Sequence, residues 1–85
     1  MKTGTIVYLG DARALAPAAD PEEAAAASGL DPAWTEVAAS VPGYYRIEEA
    51  LLELSRRGAG RIELVRARPG EGDGLAFSAP VRLTG

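Results

Sequence analysis

The rhythm of apolar and polar positions changes several times along the 85 residues, and each change marks an element. Residues Thr3–Leu9 (TGTIVYL) are rich in β-branched and aromatic types and run into Gly10-Asp11, which predicts a strand over 3–9. Ile6 to Leu9 are four consecutive large apolar residues, so both faces of that strand are expected to be at least partly covered. Residues 11–19 (DARALAPAA) lack a period and contain Pro17, so they read as a loop, with Leu15 turned back onto the core.

Two Asp-Pro steps come next, and each reads as a helix start. Asp20-Pro21-Glu22-Glu23 sets a carboxylate at the N-cap, Pro at the first helical position and Glu at the third. That helix is expected over 21–28, ending at Gly29 with Leu30 as its apolar capping contact. Asp31-Pro32 repeats the signal for a short helix over 32–40 with Trp34, Val37 and Ala38 on one side. Val41-Pro42-Gly43 suits a type II turn. The longest helix is expected over 44–57, where Ile47, Ala50, Leu51 and Leu54 form the inward stripe. Glu48 and Glu49 in its first turn and Arg56 and Arg57 in its last complement the helix dipole, Glu53 and Arg57 are spaced for an ion pair, and Gly58 ends it.

Alternation then takes over. In Arg61–Arg68 (RIELVRAR), Ile62, Leu64 and Arg66 point one way and Glu63, Val65 and Ala67 the other. Residues 69–74 (PGEGDG) form a glycine-rich hairpin turn into a strand over 75–83, with Leu75, Phe77, Ala79, Val81 and Leu83 on one face. Pro80 has no N–H to donate, so that strand lies at an edge or bulges there. The expected order is β-α-α-α-β-β: one small α+β domain spanning 1–85, its three-stranded sheet (3–9, 61–68, 75–83) carrying all the helices on one face. A parallel pairing of 3–9 with 61–68, reached by a crossover, would gather Gly10, Asp11 and Arg13 beside Tyr44, Tyr45 and Arg46. An antiparallel pairing of 3–9 with 75–83 is also compatible with the pattern and would still let the same ends meet.

Composition narrows the chemistry. The chain has no His and no Cys, which excludes disulfides, zinc-finger and haem ligation, and Cys–His or Ser–His–Asp nucleophiles. Alanine supplies 17 residues, so the 47% apolar content yields only one modest core. The net charge of −3 carries no general invitation to nucleic acid or anionic membrane, and no stretch has the length of a spanning helix or the form of a targeting signal. A cytoplasmic protein with no cofactor and no metal is expected. Gly70–Gly74 is too short and too poor in carboxylates for calcium, and Glu48 and Glu49, about 100° apart on a helix, do not converge for acid–base work. Arg56, Arg57, Arg61, Arg66 and Arg68 have no aromatic residues interleaved for base stacking, so they read as ordinary surface charge.

Two candidate sites remain. Asp11, Arg13, Tyr44, Tyr45 and Arg46 form the first, for a small anionic ligand, because sheet carboxyl edges and helix N-termini receive such ligands. In the plainer reading, Asp11 caps a turn, the tyrosines lie over the core and the arginines are solvated. Trp34, Tyr45 and Leu52 form the second: Leu52 stands off the inward stripe in line with Tyr45, so the three suggest an apolar surface for a protein partner or a second copy, a homodimer. A neighbouring helix covering Leu52 is the alternative. The sequence therefore leads to a non-catalytic protein-interaction or regulatory module that self-associates, with an anionic-ligand-binding domain using a helix N-terminus as the second reading.

Overall fold

Lys2–Tyr8 forms strand β1, and the apolar run at its centre is buried on both faces. Ile6 and Val7, which point opposite ways, are both fully inaccessible. The computed structural model describes residues 2–10, 29–69 and 75–84. The expected loop over 11–19, the helix over 21–28 and residues 70–74 of the glycine-rich turn lie outside the described residues. After β1 come a single 3₁₀ turn (Pro32–Trp34), β2 (Thr35–Ala38), helix α1 (Ile47–Arg56), β3 (Ala59–Pro69), β4 (Leu75–Phe77) and β5 (Val81–Thr84). The sheet runs β2-β1-β3, with β4 and β5 both paired to β3. β1 is parallel to β2 and β3, whereas β4 and β5 are antiparallel to β3.

This arrangement overturns the expected three-stranded sheet carrying three helices. The sheet has five strands, and among the described residues there is one α-helix. The error lies mainly in 32–40. The start signal there is real: Asp31 Oδ1 accepts from the Ala33 amide at 3.0 Å. The helix nevertheless lasts a single turn, because Thr35 and Val37 are β-branched and alternate with Glu36 and Ala38, and β1 offers them an open parallel edge. Thr35 pairs with Thr5 and Val37 with Val7, so this segment completes the sheet.

The helix expected over 44–57 begins three residues later. Tyr45 stays extended because its carbonyl accepts from the Ala39 amide at 2.9 Å along β2. Once started, α1 buries Ala50 and Leu54 completely and packs across β2, β1 and β3 on the Ile6 face. Its far end is tied down by Arg57, whose guanidinium donates to the Glu36 carboxylate, to Glu53 at 3.5 Å and to the Ala33 carbonyl at 3.2 Å. On the other face of the sheet, Val7, Leu9, Val37, Ala39, Val65 and Ala67 form a second cluster, with Leu30, Val41, Tyr44 and Phe77 packed against it.

The strand expected over 75–83 is interrupted around Pro80. Phe77 pairs with Ala67, but Val81 pairs with Leu64, one residue out of step. Because side chains alternate with a period of two, this slip turns Val81 to the face opposite Phe77. Val81 is therefore 58% exposed on the α1 side of the sheet, where a shared core face with Phe77 was expected, and a second shift between Ile62 and Glu63 leaves Leu83 unpaired and 39% exposed. No helix among the described residues is long and apolar enough to cross a membrane.

Gly4 on β1 lies directly beneath Leu54. A Cβ there would stand 3.1 and 3.2 Å from the two Leu54 methyls and 3.3 Å from the Ala59 Cβ. Leu54→Ala is expected to cost about 2–5 kcal/mol in urea unfolding. Gly4→Ala is expected to destabilise by roughly 1 kcal/mol or more through overpacking. In the Leu54→Ala background that cost should shrink, because the added methyl then fills vacated space; equal costs in both backgrounds would exclude the contact as its origin.

Candidate functional site

The chain leaves β1 for β2 on one side and returns by α1, across β1, to β3 on the other. The strand order thus reverses at β1, with β2 on one side of it and β3 and β4 on the other. Crevices at such reversals are where open α/β sheets take their ligands. Here the crevice encloses about 570 Å³ and is lined by Tyr8, Leu9 and Gly10 from the end of β1 and by Arg66, Ala67 and Arg68 from the end of β3. Tyr8 is the register partner of Arg66, and paired residues of parallel strands share a face. Arg68, two residues on, shares it too, so a phenol and two guanidiniums occupy the α1 side of this sheet edge.

Hydrogen bonds hold both walls. The Tyr8 hydroxyl and Ser40 Oγ lie 2.6 Å apart, which joins the end of β1 to the turn after β2. The Gly10 carbonyl accepts from the Ser40 amide at 2.7 Å, and Gly10 takes φ +69°, a conformation that favours glycine. On the other wall, the Ser78 amide donates to the Arg66 carbonyl at 2.9 Å, and the Arg66 amide donates to Ser78 Oγ at 2.9 Å. The serine hydroxyl thereby supplies the acceptor that a regular ladder partner would supply, at the place where β4 breaks off. Arg66 and Arg68 are exposed, and among the described residues no carboxylate lies within ion-pair distance of either. Arg57, in contrast, is held by Glu36 and Glu53, while Arg56 reaches Glu53 only at 3.9 Å.

The residues singled out from the sequence are distributed over several surfaces. Asp11 and Arg13 lie outside the described residues. Gly10 meets Ser40, which follows β2, so this contact continues the parallel β1–β2 pairing, and Gly10 lines neither the cavity of Tyr44 and Arg46 nor the groove of Tyr45. Tyr44 is half-buried against the cluster of Val7 and Leu9, and with Arg46 it lines a cavity of about 350 Å³ beside Ser40, Pro42 and Glu49. Tyr45 turns away from that cavity and lines a shallow groove on α1 with Glu49, Leu52, Glu53 and Arg56. Trp34 sits at the opposite end of β2, on the face away from α1, beside Thr3, Thr5 and Thr35. Tyr45 and Leu52 are thus brought together, while Trp34 is apart from both.

The α1 N-terminus already faces carboxylates: Glu48 and Glu49 are in its first turn, and Glu49 Oε1 accepts from the Arg46 amide at 3.1 Å. That charge opposes an anion at the helix start, whereas Arg66 and Arg68 have no carboxylate within ion-pair distance among the described residues. From the sequence these two arginines read as ordinary surface charge, with no aromatic residues interleaved. The alternation puts them on the face of Ile62 and Leu64, at the strand's carboxyl end.

Ser78→Ala is expected to cost about 0.5–1.5 kcal/mol, since the Arg66 amide must then find water. Faster hydrogen exchange at that amide, with the neighbouring β1–β3 amides unchanged, would identify the lost acceptor as the cause. No protein-family model, no curated protein and no solved structure matches this chain.

Proposed function

We propose that this protein binds a small anionic molecule, carrying a phosphate or carboxylate group, in the crevice between the carboxyl ends of β1 and β3. The observation that carries this reading is the coincidence of two exposed arginines, Arg66 and Arg68, with the point where the strand order reverses. A guanidinium offers a planar fork of donors matched to carboxylate and phosphate oxygens. The Arg66 and Arg68 Cα atoms are roughly 6.6 Å apart along the strand, so their long side chains approach one anion from two sides. The Tyr8–Ser40 hydroxyl pair places a further donor at the crevice wall, because either oxygen can hold the shared proton and leave the other O–H to turn outward. Gly10 lets ligand approach the backbone without a side chain in the way. This is the chemistry of holding an anion, so the role is binding.

Inorganic phosphate is the first probe. Titrating it into ¹⁵N-labelled protein is expected to shift the Tyr8, Gly10 and Arg66–Arg68 amides along one saturable curve, weakened by added salt. Arg66→Gln and Arg68→Gln are each expected to weaken binding about tenfold, the loss of one charge-assisted hydrogen bond, and together to abolish it. Unchanged affinity in the doubly substituted protein would remove the proposal.

A further inference from the structure

We propose that the outer face of α1 pairs with the same face of a second copy of this chain, with the two helices antiparallel about a two-fold axis at Leu52. Leu52 is 60% exposed and Tyr45 42% exposed, while Ala50 and Leu54 on the opposite side of the helix are fully buried. Tyr45, Glu49, Leu52 and Arg56 succeed one another at spacings of four, three and four, which places them along one stripe. With Glu53 they line a groove of about 170 Å³.

Charge selects the occupant. Glu48 and Arg56 stand four residues before and four after Leu52, on its own row of the helix. A two-fold axis through Leu52 therefore sets Leu52 against its copy and places Arg56 of each chain beside Glu48 of the other. Glu49 of the other copy lies one position further along. A parallel pairing would set Arg56 on Arg56 and Glu48 on Glu48, which repel. The Arg56 side chain is 72% exposed and touches Glu53 of its own chain only at 3.9 Å, so it is available to a partner. Such an interface is self-complementary and closes at two copies.

The face is small. A helix of ten residues is about 15 Å long, short of the roughly 800 Å² per partner of a standard interface. The dimer is accordingly weak, dependent on concentration and sensitive to salt.

Sedimentation velocity on the full chain tests this without any ligand. Wild type is expected to shift from monomer to dimer as concentration rises, and back toward monomer in about 0.5 M salt, where the Debye length is only a few ångströms. Leu52→Ser, Glu48→Arg and Arg56→Glu should each remain monomeric, with circular dichroism reporting the folded state. Combining Glu48→Arg with Arg56→Glu restores the complementary pairs and should restore the dimer. Monomeric wild type at every concentration would overturn the proposal. So would dimers that persist in all three single variants, or a folded charge-swapped protein that stays monomeric.

Discussion

β1 has parallel neighbours on both edges and apolar contacts on both faces, and the other elements are arranged to meet those two demands. Parallel partners cannot be joined by tight turns, so each requires a crossover. The connection from β2 to β3 must pass over β1, and α1 makes that passage with Ala50 and Leu54 facing Ile6, Ile62 and Ala38. The close approach depends on Gly4, whose missing side chain leaves room for the Leu54 methyls. The same reversal of strand order that needs α1 also opens the crevice at the carboxyl ends of β1 and β3. Scaffold and candidate site thus arise from one topological constraint.

A second constraint comes from Pro80. Without an amide proton to donate, it breaks the antiparallel partner of β3 into β4 and β5 and shifts the register by one residue. The shift has two effects. It leaves a gap in the ladder that the Ser78 hydroxyl fills at Arg66, fixing the backbone of a crevice residue. It also turns Val81 toward the α1 side, beyond the strands that the ten-residue helix packs across, and leaves it exposed.

Arginine shows how position assigns different work to one residue type. Arg57 is engaged by two carboxylates and a carbonyl, and it joins the end of α1 to the start of β2. Arg56, one residue earlier, points to solvent at the end of a stripe whose other end is acidic. Arg66 and Arg68 stand at a sheet edge with hydroxyl and backbone groups for neighbours. Cations at that edge and carboxylates at the start of α1 give the two surfaces opposite electrostatic character.

Local chemistry by itself determined the features that depend on neighbours in the chain. The β-branched and aromatic run places β1, the spacing of Ile47, Ala50, Leu51 and Leu54 marks the inward side of α1, Gly58 stops the helix with φ +98°, and Pro80 interrupts the last strand. Asp31 does start a helical turn, but its side chain reaches only the Ala33 amide and exerts no hold on residues 35–38. Whether 35–38 coils or extends was decided by the open edge of β1, a partner some thirty residues earlier in the chain. The same is true of the site. Tyr44 and Tyr45 are adjacent in sequence yet serve different surfaces, whereas Tyr8 and Arg66 meet only because β1 and β3 pair in parallel register. Capping, periodicity and turn chemistry act over a few residues and can be read along the chain. Strand neighbours, register and the reversal that opens the crevice involve long loop closures, so only the folded sheet decides them.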